Sequence, residues 1–236
     1  MALQLNAEIY KEYVEGTNVD RLQHIFADNR EPMFIADIVQ RRLDVRKDQT
    51  LKSTYDAWWQ NGFYSGDLWL RDSENKNGKI VCYELEGLEF LRQIDPKLNI
   101  HSNNFLPLSQ DFFEKVEGLG LTLKDIERLN SKKEYTPAEA LQSREWRYLL
   151  GSQERLEAYV EASAKESDNL THNFMRLEFG KEVGKFRDQS HLAAGKFWCL
   201  YERICGLGAN GANHLFLEGV ARLVGVPAGM HVKREK

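Results

Sequence analysis

The sequence predicts a mainly helical protein with one small β-hairpin in its first half and an all-α helical bundle in its second. Three observations predict it. Apolar residues recur at three- and four-residue intervals through most of the chain. One stretch, 67–85, breaks that rhythm with short aromatic and β-branched runs around a polar loop. Beyond residue 109, helix-start signals follow one another, strongest in Thr136-Pro137-Ala138-Glu139, where a capping residue, a first-turn proline and a box acid coincide.

Taken in order, the first helix is expected around Ile9, Tyr10, Tyr13 and Val14, which form one stripe. Thr17 with Asp20 opens a second, burying Val19, Leu22, Ile25 and Phe26. Pro32 stands in the first turn of a third that repeats apolar pairs at 34/35 and 38/39 before Leu43. Asp48 caps a fourth with Leu51, Tyr55 and Trp58 on one side, stopped by Asn61-Gly62. The runs DLWLRD and KIVCYEL, joined by SENKNG, read as the hairpin. Helix resumes at Leu88, Leu91 and Ile94. The irregular stretch DPKLNIHSNNFLPLS then divides the chain into a region 1–100 and a bundle 106–236. In the bundle, Ser109 and Thr122 cap two helices. Helical stripes are also read in SQERLEAYVEASA, NLTHNFMRLEFGKEVGKF, SHLAAGKFWCLYERIC and NHLFLEGVARLVGV. The tail HVKREK is expected to fray.

Gly206, Gly208 and Gly211 carry the Gly-x-Gly-x-x-Gly spacing of a dinucleotide loop. Only 25 residues follow Gly211, too few for a further parallel strand bearing a ribose-binding acid. The expectation is therefore a joint between two helices. Gly180 and Gly184, four apart, suit close helix packing at a dimer seam.

From about 30 to 94 the order is helix, short link, helix, hairpin, helix. With Leu43 and Val45 closing one helix, Leu51, Tyr55 and Trp58 seating the next, Gly62 ending it and KIVCYELEG returning, this order resembles the winged helix-turn-helix superfamily. The resemblance implies a recognition helix whose polar side carries Gln49, Lys52, Ser53 and Asp56 into a major groove. It places Arg41, Arg42, Arg46 and Lys47 near phosphates, and Arg71, Lys76 and Lys79 on the wing. The leading expectation is thus a nucleic-acid-binding regulatory protein, its partner duplex DNA, with the bundle serving dimerisation or sensing. Between residues 30 and 79, however, 9 basic residues face 8 acidic ones. A non-catalytic protein-interaction module, docking a protein partner or a second copy through the C-terminal helices, is therefore the alternative.

A metal-dependent enzyme in the bundle is the third reading, with Asp188, His191, His214 and Glu218 at helical spacings. No pair of Glu-x-x-His helices accompanies them, so they read as surface pairs. In the hairpin, Asp67, Asp72, Glu74 and Lys76 read as a solvated turn, and His24, His101, His172 and His231 as isolated. No nucleophile elbow or phosphate loop occurs, no catalytic residue is assigned, and no cofactor is expected. Composition is that of an ordinary globular protein, 42% hydrophobic and 29% charged, with a net charge of −4 that provides no bulk attraction to nucleic acid or membrane. Cys82, Cys199 and Cys205 form no metal or disulfide pattern. Without a signal-peptide or membrane-span pattern, a cytoplasmic setting is expected.

Overall fold

Both faces of one mixed sheet are buried in this protein, and that arrangement sets most of its architecture. The structure is a computed structural model and describes residues 5, 8–16, 18–47, 52–74, 76–82, 85–93, 106–131, 135–167, 177–179, 193–200, 207–209 and 222–235. In chain order the first half runs β1 (Lys11–Tyr13), α1 (Asn18–Ala27), β2 (Arg30–Pro32), α2 (Ile35–Lys47), α3 (Lys52–Trp59), β3 (Phe63–Arg71), β4 (Asn77–Val81) and α4 (Leu85–Gln93). The second half runs β5 (Leu106–Leu108), α5 (Gln110–Lys115), β6 (Leu119–Thr122), α6 (Leu123–Ser131), α7 (Pro137–Gln142), α8 (Arg144–Leu150), α9 (Gln153–Ser167), β7 (Leu177–Phe179), β8 (Ala193–Leu200), β9 (Leu207–Ala209) and β10 (Arg222–Pro227).

Among the described residues the strands join into one ten-stranded sheet, ordered β1-β10-β3-β8-β9-β7, with β2 beside β10, β4 between β3 and β6, and β5 beside β8. The first strand pairs antiparallel with the last, Glu12 opposite Val224. Strands from both sides of the 95–109 stretch thus share a single sheet. The expected mainly α fold with a small hairpin, winged region and helical bundle is corrected by this sheet. The hairpin strands do pair, Leu68 opposite Val81 through Arg71 opposite Gly78. But β3 is also flanked by β8 and β10, so it is a central strand and no projecting wing.

The corrected segments share a cause. Along β8, Trp198 and Leu200 face one core cluster while Phe197 and Cys199 face the other. On β10, Leu223 faces one and Val224 and Val226 the other. A strand buried on both sides has no polar alternate positions and reads as an apolar run, the pattern that suggests helix at 190–205 and 213–226. Gly208, expected in a helix joint, is instead paired with Glu178 of β7 and Cys199 of β8. The stretch around Tyr10 and Tyr13, expected helical, supplies edge strand β1.

The helices distribute over the two faces. One core gathers α2, α3, α8 and α9 around Trp58, Trp59, Trp69, Trp146 and Trp198. The other gathers α1, α4 and α5 around Leu22, Ile25, Leu88, Leu91 and Phe113. This division accommodates the aromatic cluster 55–69: Trp59, Phe63 and Trp69 pack on one side, Tyr64 on the other, and all four are buried.

Candidate functional site

Between Tyr64 and Leu68 the register of β3 against β8 slips. The slip coincides with a change of neighbour on the other edge of β3, from β10 at Phe63 and Tyr64 to β4 at Leu68 to Arg71. Into the gap fits the start of α2. Gly66 donates its N–H to the Met33 carbonyl and Met33 donates to Val224. The approach needs a glycine, since a Cβ at Gly66 would lie 2.7 Å from the Phe34 ring. Ser65 Oγ accepts from the Asp67 amide, shaping the bulge that turns Asp67 inward.

Two carboxylates meet the helix there. Asp67 Oδ2 accepts from Ile35 N at 2.6 Å, and Asp37 Oδ2 accepts from Phe34 N at 2.8 Å. Both satisfy first-turn amides and complement the positive end of the helix dipole. Asp67 is fully buried, and burial pushes its pKa up to about 6 against the opposing pull of Arg234 and the Ile35 amide.

The segment 228–235 completes the cluster, so the expected fraying of this tail is corrected. His231 Nδ1 lies 2.7 Å from Asp37 Oδ2 and its Nε2 3.0 Å from Glu31 Oε2, with the Phe34 ring tilted 4.5 Å away. Burial disfavours the charged ring, but the hydrogen bond and charge of Asp37, then those of Glu31, outweigh it and raise its pKa. Val232 N donates to Asp37 Oδ1 at 2.8 Å and Gly229 N to Glu31 Oε2 at 3.2 Å. Arg234 donates to the Tyr148 and Leu149 carbonyls at the end of α8. Glu235 N donates to Gly151, and the Glu235 carboxylate accepts from Gln153 N at the start of α9. Arg155 of α9 donates to the Lys233 carbonyl and to Gln40 of α2. The segment therefore straps β2, α2, α8 and α9 together.

Six of the residues expected to touch DNA, Arg41, Arg42, Arg46, Arg71, Lys76 and Lys79, are engaged within the chain or buried in it. Arg42 is 1% exposed, donating to the carbonyls of Trp58 and Asn61 at the end of α3 and to Tyr159 Oη. Arg41 is half-buried, 5.0 Å over the Tyr10 ring and bonded to the Leu5 carbonyl. Arg46 lies over Trp59. Arg71 is buried within β3, and Lys79 Nζ donates to the carbonyls of Phe113, Glu114 and Val116. Lys76 pairs with Glu74 at 2.6 Å. Asp72 accepts from the amides of Lys76 and Asn77, ordering the hairpin loop. Lys47, Lys52 and Ser53 are exposed, and Gln49 lies outside the described residues. So do Asp188, His191, His214 and Glu218, as well as Cys205.

Among the described residues no group of three or more His, Cys, Asp or Glu is arranged to hold a metal ion. The strap cluster went unseen in the sequence because Glu31 and Asp37 lie about 200 residues before His231, beyond any local pattern. The legible hint was Asp37 three residues after Phe34 at a helix start, a capping spacing. Among the described residues no helix is long and apolar enough to cross a membrane.

No family model matches the chain, and no curated protein matches it. In three dimensions it is similar to a solved structure described as "Accommodation of massive sequence variation in Nanoarchaeota by the C-type lectin fold", with a TM-score of 0.59 over 94% of this chain and 100% of that one. At 15% identity the likeness speaks for the fold alone. It overturns the winged-helix architecture and, with it, the expected DNA-binding regulator: the architecture of this chain is that of a C-type lectin-like sheet.

Proposed function

We propose that this chain is a non-catalytic recognition scaffold that binds a protein partner. The observation that supports it best is the use made of the polar cluster at the start of α2. Both ring nitrogens of His231 are bound, and its two carboxylate partners also bind backbone amides. With both nitrogens bound by carboxylates of its own chain, His231 presents neither of them to a substrate in this arrangement. The cluster stabilises the frame instead.

The solved structure that the chain resembles is described as accommodating massive sequence variation. In this chain the same logic assigns constancy to the sheet, its two cores and the strap, and leaves recognition to the surface. Affinity capture on the immobilised full chain, from extract of its own source cells, tests the reading. A polypeptide recovered in constant proportion, before and after nuclease and chelator treatment, is the expected result. Loss of every bound polypeptide after either treatment would overturn it.

A further inference from the structure

We propose that residues 228–235 are a proton-operated latch: a charged His231 imidazolium wedged between Glu31 and Asp37 holds the segment against the start of α2, and loss of its proton releases it. The reading is independent of what the scaffold binds. The geometry demands the charge. Both ring nitrogens lie within 3.0 Å of a carboxylate oxygen. A carboxylate only accepts, so both nitrogens must donate, and only the imidazolium has two N–H groups. A neutral ring would turn a lone pair onto Glu31 or Asp37, whose side chains are 7% and 6% exposed. The same two carboxylates hold the Gly229 and Val232 amides, so the repulsion would act on the segment from both sides of the ring.

The charged groups around the ring come from every element packed there. Glu31 belongs to β2, Asp37 to α2 and Asp67 to β3, the last within Coulombic reach of Asp37. Facing them are Arg92 of α4, 4.0 Å from Glu31, Arg155 of α9, and Arg234 of the segment itself, the last two within reach of Asp37. The arginines keep their charge at all relevant pH values, so His231 is the cation of this set that titrates near neutrality. Burial opposes its protonation, but Asp37 and then Glu31 raise its pKa above the ordinary value. A histidine whose folded pKa is raised contributes stability that is complete below its unfolded value and fades as pH climbs through the folded one. The latch is therefore shut in mild acid and opens on the alkaline side.

Lys233 and Arg234 lie in the latch, their carbonyl and guanidinium engaged when it is shut. Trypsin cleavage after them therefore reports opening. In the full-length protein, the His231 nitrogens would be followed by NMR from pH 5 to 9.5. Cleavage over the same range would be normalised to a free peptide of residues 228–236. The expected result is two protonated nitrogens at pH 6, a midpoint above 6.5, and normalised cleavage that starts to climb at that midpoint. Glu31→Gln should lower the midpoint, and His231→Gln should give fast, pH-independent normalised cleavage. A wild-type midpoint at or below 6.5 would overturn the proposal, as would normalised cleavage unchanged across the titration. These wild-type measurements decide even if a variant fails to fold.

Discussion

Arg42 shows how far a residue's chemistry can depart from its sequence context. In the sequence it stands among Arg41, Arg46 and Lys47 as one of four cations; in the structure its guanidinium caps the end of α3 beneath Trp59. Arg42→Ala should therefore cost about 2–4 kcal/mol in urea unfolding, because buried acceptors lose their donor and a cavity opens. Lys52→Ala, at an exposed position, should stay within about 0.5 kcal/mol. Equal effects of the two would contradict the assignment. Gly66→Ala should destabilise by about 1–3 kcal/mol through collision with Phe34, read in the same way. Asp67 carries a separate acid-side signature. Its pKa is raised to about 6, so the stability it contributes is present near pH 4 and lost as pH rises towards and past 6. Asp67→Asn should flatten that part of the Tm-against-pH curve. An unchanged slope would show that its proton is not linked to folding.

At the scale of elements, the capping signals from Ser109 to Glu139 proved reliable, whereas Pro32, expected in the first turn of a helix, ends strand β2, and α2 starts at Ile35. Thr136 accepts from the Glu139 amide while the Glu139 carboxylate accepts from the Thr136 amide, and Pro137 opens α7. Ser109 caps α5, and Thr122 exchanges bonds with Asp125 ahead of α6. These were legible because a cap is decided by residues three apart. Thr136→Ala should cost about 1 kcal/mol, measurable by thermal unfolding followed by circular dichroism. The strands β8 and β10 were illegible for the opposite reason: an apolar run carries no sign of whether it is flanked by strands or wound into a helix. The strap was illegible too. Its anchors are His231 and Arg234, whose partners are Glu31, Asp37 and the carbonyls of Tyr148 and Leu149, all far away in sequence. Removing residues 228–236 leaves buried carboxylates without their cation and should lower stability by about 3–5 kcal/mol, a loss visible as an earlier urea midpoint.

Across the whole molecule, the sheet makes its regions interdependent. Strand β3 alternates between the two cores, Trp69 into one and Leu68 and Leu70 into the other, and it is paired along its length with β8. A fragment of residues 1–100 would lack β8 and β10, leaving one edge of the central strand β3 bare along its length and both edges bare at Phe63 and Tyr64, with only β4 retained. It should show neither the secondary-structure signal of the 236-residue chain nor a cooperative transition, both read by circular dichroism with the 236-residue chain as control. An independently folded 1–100 fragment would refute the shared-core account. By itself, the sequence determined the helix starts after Ser109, Thr122 and Thr136 and the hairpin pairing of β3 with β4, because each depends on neighbours within a few residues. Only the tertiary structure decided that apolar runs become central strands and that Arg42, Asp67 and His231 bind distant parts of their own chain. Those outcomes depend on which distant segments cover each face and supply each charge, information that no local stretch of chain contains.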